Sequence, residues 1–197
     1  MNKSIYFLLV LLAVISCRTE TELKKTVFIE DKDNPGLPVY SEWGYNTFGA
    51  YYDRAPFISK QFIPSKVIMS DDTTRFQLIG SREGGTYTFN ENTIISFALP
   101  DIKPAAYQDL VALDKKRIDL KATKVSVLLD YDNYPLEVIE GFLEFSRAQT
   151  LVVDKKYYEV ILSGYFEIKA IIHGQPVTIS NGRFDVGVGD DNFFIYD

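Results

Sequence analysis
Over much of the chain, apolar and polar residues alternate with a period of two. In Arg75-Phe76-Gln77-Leu78-Ile79, Phe76 and Leu78 share one face while Arg75 and Gln77 take the other, and Thr86-Tyr87-Thr88-Phe89 repeats the rhythm. Successive side chains of a strand point to opposite faces, so the pattern predicts strands with one buried face. Between these runs, Gly84-Gly85 supplies positive φ at little steric cost and predicts a turn. Asn92 to Leu99 is more continuously apolar and reads as a core strand, and Val125, Val127 and Leu129 mark a further one.

The last third is the most regular. Phe142-Leu143-Glu144-Phe145 lies in one predicted strand, and Phe166, Ile168 and Ala170 alternate with Glu167 and Lys169 in the next. Gly174 and Pro176 predict a turn, Val177-Thr178-Ile179 resumes a strand, and Asn181-Gly182 is a strong hairpin-turn signal before Phe184, Val186 and Val188. One stretch breaks the alternation. Pro104 to Lys116 fits a short helix with Pro104 in its first turn and Lys115 and Lys116 at its end, or a long ordered connection. Antiparallel strands with one apolar face each must bury that face against another layer. The expectation is therefore an all-β, mainly antiparallel fold: a two-sheet β-sandwich with one short helix or long ordered connection.

The N-terminus follows another pattern. Met1-Asn2-Lys3-Ser4 is short and basic, Ile5 to Ile15 is apolar throughout, and Ser16-Cys17 follows. This is the layout of an export signal. The run is too short to span a hydrocarbon core, which needs about 20 residues. Val14-Ile15-Ser16-Cys17 resembles a bacterial lipobox, and Cys17 is the only cysteine. Cleavage before Cys17 would leave it as a lipidated N-terminus held at a membrane interface; the other reading is a soluble exported protein with an unpaired thiol. Residues 1–16 are thus expected to be a signal peptide, 17–42 a lipidated N-terminus and flexible tether closing in the charged, turn-rich Glu30 to Pro38, and 43–197 a single β-rich domain. The outer membrane is the expected location. Glu20 and Glu22 loosely resemble an acidic surface-export signal and leave the membrane face open.

Charge excludes one class of partner. The chain carries −6, and −7 once Lys3 leaves with the signal. That balance disfavours nucleic acid and gives no help on an anionic membrane.

Catalytic motifs are sparse. His173 is the single histidine and sits beside Gly174 in the predicted turn. Ser163 and several aspartates exist, but no nucleophile elbow brings a triad together. There is no phosphate-binding glycine loop, dinucleotide fingerprint or HExxH. Glu137, Glu140 and Glu144 are the carboxylates available to a glycosidase, and equally suit solvated strands. Asp71-Asp72, Asp130 with Asp132, and Asp190 with Asp191 are oxygen-rich turns and weak calcium candidates, without the spacing of an EF-hand. No catalytic residue and no cofactor is assigned. The aromatic residues are more informative. Trp43, Tyr45, Tyr51 and Tyr52, and separately Tyr131 and Tyr134, are candidates for an exposed binding surface; Phe48 belongs to the first cluster, and core packing is the competing reading.

The islands Tyr45-Asn46-Thr47-Phe48-Gly49-Ala50, Pro56-Phe57-Ile58, Ser163 to Ile168 and Val177 to Val186, behind a lipobox at Cys17, resemble a group of uncharacterised Bacteroidetes lipoproteins. The middle of the chain, Ile102 to Asp132, matches that group poorly. The resemblance implies a β-rich, secreted protein of unknown function and carries over no catalytic residue. Within these islands Asn46 and Gly49 look held by backbone geometry, and Arg183 and Asp185 face neighbouring strands or solvent. The leading functional expectation is a non-catalytic, lipid-anchored envelope module that binds a protein, an envelope component or a glycan. An extracellular polysaccharide hydrolase using paired carboxylates and a purely structural envelope component are the alternatives. Oligomeric state is left open.

Overall fold
The computed structural model describes residues 26–59, 64–82, 93–122, 124–129, 134–153 and 156–196. Cys17 and the signal, Gly84-Gly85, Thr86 to Phe89, Asp130, Tyr131 and Asp132 lie outside them.

The described strands are β1 (Thr47–Tyr52), β2 (Ala55–Ile58), β3 (Ser65–Ser70), β4 (Thr73–Arg82), β5 (Thr93–Leu99), β6 (Lys116–Asp119), β7 (Ser126–Leu129), β8 (Tyr134–Pro135), β9 (Glu137–Val153), β10 (Lys156–Ile172), β11 (Gln175–Val188) and β12 (Phe193–Ile195). They form one sheet in the order β6-β9-β10-β11-β1-β2-β4-β5-β7-β8, with β3 beside β4 and β12 parallel to β3. The other pairings are antiparallel. The all-β expectation holds. The two-sheet β-sandwich does not: the chain forms a single sheet curled into a half-barrel.

The reason lies in strand length and one corner. β9 and β10 each run 17 residues and β11 runs 14. Register shifts interrupt their ladders near Ser163/Gly164 and Phe166/Ile168, and such bulges bend a strand and increase its twist. The curl lets one sheet provide both walls of the core. β4 joins the halves by pairing Phe57 with Arg82 and Ile58 with Ser81 at its end, while the rest of it pairs with β3 and β5. At that corner a Cβ on Gly80 would lie 2.6 Å from the Ile58 carbonyl oxygen and 2.6 Å from the Phe48 ring, so only glycine fits. Phenylalanines fill the curl. Phe76 of β4 meets Phe145 of β9 and Phe184 of β11 at 5.5 and 5.3 Å, and Phe97 of β5 meets Phe166 of β10 at 5.7 Å.

The break at Pro104 to Lys116 is a short 3-10 helix, Tyr107–Leu113, which puts Tyr107, Leu110 and Leu113 into the core. Lys116 already belongs to β6. The turn between β10 and β11 is His173-Gly174, with φ of 49° and 77°, the positive pair a two-residue hairpin turn requires. Asn181-Gly182, expected to be a second turn, is a bulge inside β11: Asn181 has φ of 53°, and the register shifts there against both β10 and β1. A left-handed Asn followed by Gly serves either purpose.

Residues 26–42, assigned to a tether by their charge and turn formers, pack on the sheet. Glu30 bridges Pro38, Val27 donates its N–H to the Tyr45 carbonyl, and Leu37 is fully buried. The charges have fixed partners. Asp31 pairs with Arg183, and Glu30 accepts the Gly36 N–H at 2.8 Å. Pro38 lies against Gly49 of β1, where any Cβ would collide with it. Asn46 has φ of 52° and accepts the Gly187 N–H on its side-chain oxygen at 2.8 Å. The segment 26–45 is a strap across the outer face of β1, β10 and β11.

Candidate binding site
The site begins with a buried carboxylate. Asp185 of β11 is 1% exposed on the outer face beneath the strap. It accepts five hydrogen bonds: from Ser41 Oγ at 2.6 Å, from the backbone N–H groups of Trp43, Gly44 and Tyr45 at 3.3, 2.9 and 3.0 Å, and from Ser163 Oγ at 2.9 Å. A buried charge is tolerated only with such a set of donors. The consequence is a loop, 41–45, whose backbone is fixed at three successive amides.

That fixed loop holds Trp43 out into solvent, 78% exposed. Tryptophan is highly buried on average, so a bare indole on a rigid backbone is informative. Beside it the Tyr40 ring stacks on Tyr165 of β10 at 4.5 Å and 20°. Tyr40 donates its hydroxyl to Glu42 Oε1 at 2.9 Å. Burial is the first cause holding both phenols above the usual tyrosine range; the hydrogen bond to Glu42 adds to it for Tyr40. Both phenols therefore stay neutral to higher pH than a solvated tyrosine. From β9, Gln149 donates to the Glu42 carbonyl at 2.6 Å, and Arg147 Nε donates to Gln149 Oε1 at 3.4 Å. Tyr40, Ser41, Glu42, Trp43, Arg147 and Gln149 line an open depression of about 390 Å³.

The predicted aromatic surface is only partly assembled. Trp43 is at the depression, and Tyr45 follows on the pinned loop, half-buried. Tyr51 donates its hydroxyl to the Pro35 carbonyl at 2.9 Å, so it holds the strap. Tyr52 packs toward the core with the Arg82 guanidinium 4.5 Å above its ring, and Phe48 is fully buried. Tyr134 is half-buried against His173 at 4.3 Å, at the β10–β11 turn. Tyr131 lies outside the described residues. Sequence reasoning missed Tyr40, Glu42, Arg147, Gln149 and Tyr165. The one local signal was Arg147 and Gln149 at alternate positions of a strand.

The other candidates are also placed. Ser163 and Asp185 touch, but His173 is ten residues on, in the turn just past the end of β10, about 33 Å away at ~3.3 Å per residue. No triad forms from these three. Glu140 pairs with Lys169 and Glu144 with Arg117. Asp190 and Asp191 are exposed, and among the described residues no group of three or more His, Cys, Asp or Glu converges on a metal position. Their turn is organised by Asn192, which accepts from the Gly189 N–H and donates to the Gly187 carbonyl, both at 2.9 Å.

Comparison of the chain with protein-family models, with curated proteins and with solved structures found no match.

Proposed function
We propose that this chain is a lipid-anchored, non-catalytic module of the bacterial cell envelope, related to the Bacteroidetes lipoproteins it resembles, and that it makes its contact through the Trp43 depression. The observation that carries the contact site is the bare indole on a loop pinned by Asp185. A ring already fixed in its binding pose loses little conformational entropy when a ligand arrives. The anchor half of the proposal rests on the lipobox and on Cys17 being the only cysteine.

The two halves are tested separately. A Cys17→Ala variant is expected to lose palmitate labelling in cells and to leave the membrane fraction; unchanged labelling removes the anchor. Trp43 is the only tryptophan, so its emission reports the site. Envelope extracts are expected to shift that emission saturably, and an unaltered spectrum across all fractions argues against a binding module at this site.

A further inference from the structure
We propose that the Trp43 depression takes an acidic saccharide, with a sugar ring stacked on the indole and its carboxylate on Arg147. This rests on the depression being the contact site and goes one step further, to the class of ligand.

The ring is the first observation. The exposed face of Trp43 is flat and apolar. A pyranose ring presents an apolar C–H face rimmed by hydroxyls, the shape that matches an indole bordered by polar groups. The volume of about 390 Å³ lies at the small end of ligand sites, which run from roughly 300 to 1,000 Å³, and suits one or two sugar rings.

Hydrogen-bond capacity then selects among saccharides. The Glu42 carbonyl accepts from Gln149, one Glu42 carboxylate oxygen accepts from Tyr40, and Gln149 Oε1 accepts from Arg147 Nε. The terminal nitrogens of Arg147 remain. Among the described residues Arg147 has no ion pair, as is true also of Arg54, Arg75 and Arg82 and unlike Arg117 and Arg183; what sets Arg147 apart is its place in the same depression as an exposed indole. A guanidinium fork fits a carboxylate with two parallel hydrogen bonds. The second oxygen of Glu42 then suits a sugar hydroxyl. A ligand carrying a ring, hydroxyls and a carboxylate answers all three groups. The overall charge of −6 opposes a polyanion held by charge alone, so the stacked ring is required.

The test reads Trp43 emission while the purified chain is titrated with oligogalacturonate and sialyllactose, and with neutral galactan oligomers and lactose. The acidic sugars are expected to bind at least tenfold more tightly. Arg147→Gln should bring acidic and neutral sugars to equal affinity, and Trp43→Ala, followed by calorimetry, should lose both. Equal affinity of the unmodified chain for both kinds overturns the carboxylate, and an equal response to poly-glutamate overturns the sugar. If envelope extract shifts the emission and no saccharide does, the ligand class falls and the contact site stands. If neither does, both fall.

Discussion

Among the described residues, a larger and a smaller depression beside β9 differ in what they leave unsatisfied. The larger, about 850 Å³, is lined by Arg117, Glu140, Phe142, Glu167 and Lys169 among others. Its ring and two of its cations have partners. The Arg117 guanidinium lies 3.6 Å above the Phe142 ring and pairs with Glu144, and Lys169 Nζ meets Glu140 at 2.8 Å. The smaller depression has the same ingredients, an aromatic ring, an arginine and a glutamate, but Trp43 is bare and Arg147 has no acid. Beneath it lies a buried carboxylate that fixes the backbone; the larger groove is built from long exposed side chains on the strand surface. Size is therefore the wrong criterion. An open ring and free donors on a fixed backbone indicate a ligand, and a covered ring with exposed, largely paired side chains indicates a solvated surface.

The largest effect should come from the support of the smaller site. Asp185→Ala leaves two buried hydroxyls and the Gly44 and Tyr45 amides without their acceptor, while the Trp43 N–H keeps Ser41 Oγ at 3.2 Å, and is expected to cost roughly 3–5 kcal/mol, within the range for breaking a buried charged network. Chemical denaturation should show a lower midpoint, and Trp43 emission anisotropy should fall as the loop loosens. Asp185→Asn keeps one acceptor oxygen and should cost less. A loss under about 1 kcal/mol for Asp185→Ala would mean that the loop is held by something else.

The strap gives a pH test of the same contrast. The carboxyl of Asp31 is held below its ordinary range, first by the Asn34 side chain, then by the Asp33 N–H, with Arg183 also contributing; desolvation opposes. A lowered folded value stabilises at neutral pH, and that contribution is lost as the pH falls through it, below about 4. Acid should therefore loosen the strap and change Trp43 emission before the core unfolds, and Asp31→Asn should show the loosened emission already at pH 7. An identical acid profile in the variant would exclude Asp31 as the cause.

Alternation made the core legible. Phe76 and Leu78, and Phe184, Val186 and Val188, are buried as their period requires, because facing is a local property of a strand. The curl was not legible. It depends on two residue pairs between β2 and β4 and on a glycine corner, and nothing near Gly80 in sequence announces which strand it meets. Asn181-Gly182 misled for a related reason: a left-handed residue marks a change of direction without saying whether the chain turns back or bulges. The site was legible only at Trp43, through the rarity of its residue type. Asp185 lies more than 140 positions from Ser41, and its role exists only once the strap is folded onto β11. The charges of Glu30 and Asp31 read as solvent-facing because their partners are equally remote or conformational.

In the larger groove a smaller effect is expected. Arg117→Ala removes an exposed stack and an exposed ion pair, each worth up to about 1 kcal/mol, so the loss should be about 1 kcal/mol and diminish in salt. It should leave any ligand response of Trp43 unchanged. A change in that response would join the two depressions into one site and remove the contrast.

The smallest effect on stability is the most decisive. Trp43→Ala removes a side chain that is 78% exposed and leaves its backbone N–H on Asp185. Little apolar surface leaves the interior, so stability should stay within about 0.5 kcal/mol of the parent by chemical denaturation, followed by tyrosine emission or circular dichroism. A structural tryptophan would behave otherwise: truncation of a buried ring costs about 3–5 kcal/mol. The two substitutions on one loop then separate support from contact. Asp185→Ala should damage the fold and the site together, whereas Trp43→Ala should spare the fold and lose the ligand. If Trp43→Ala destabilises by several kcal/mol instead, the indole is a packing element, and the smaller depression is as self-contained as the larger one.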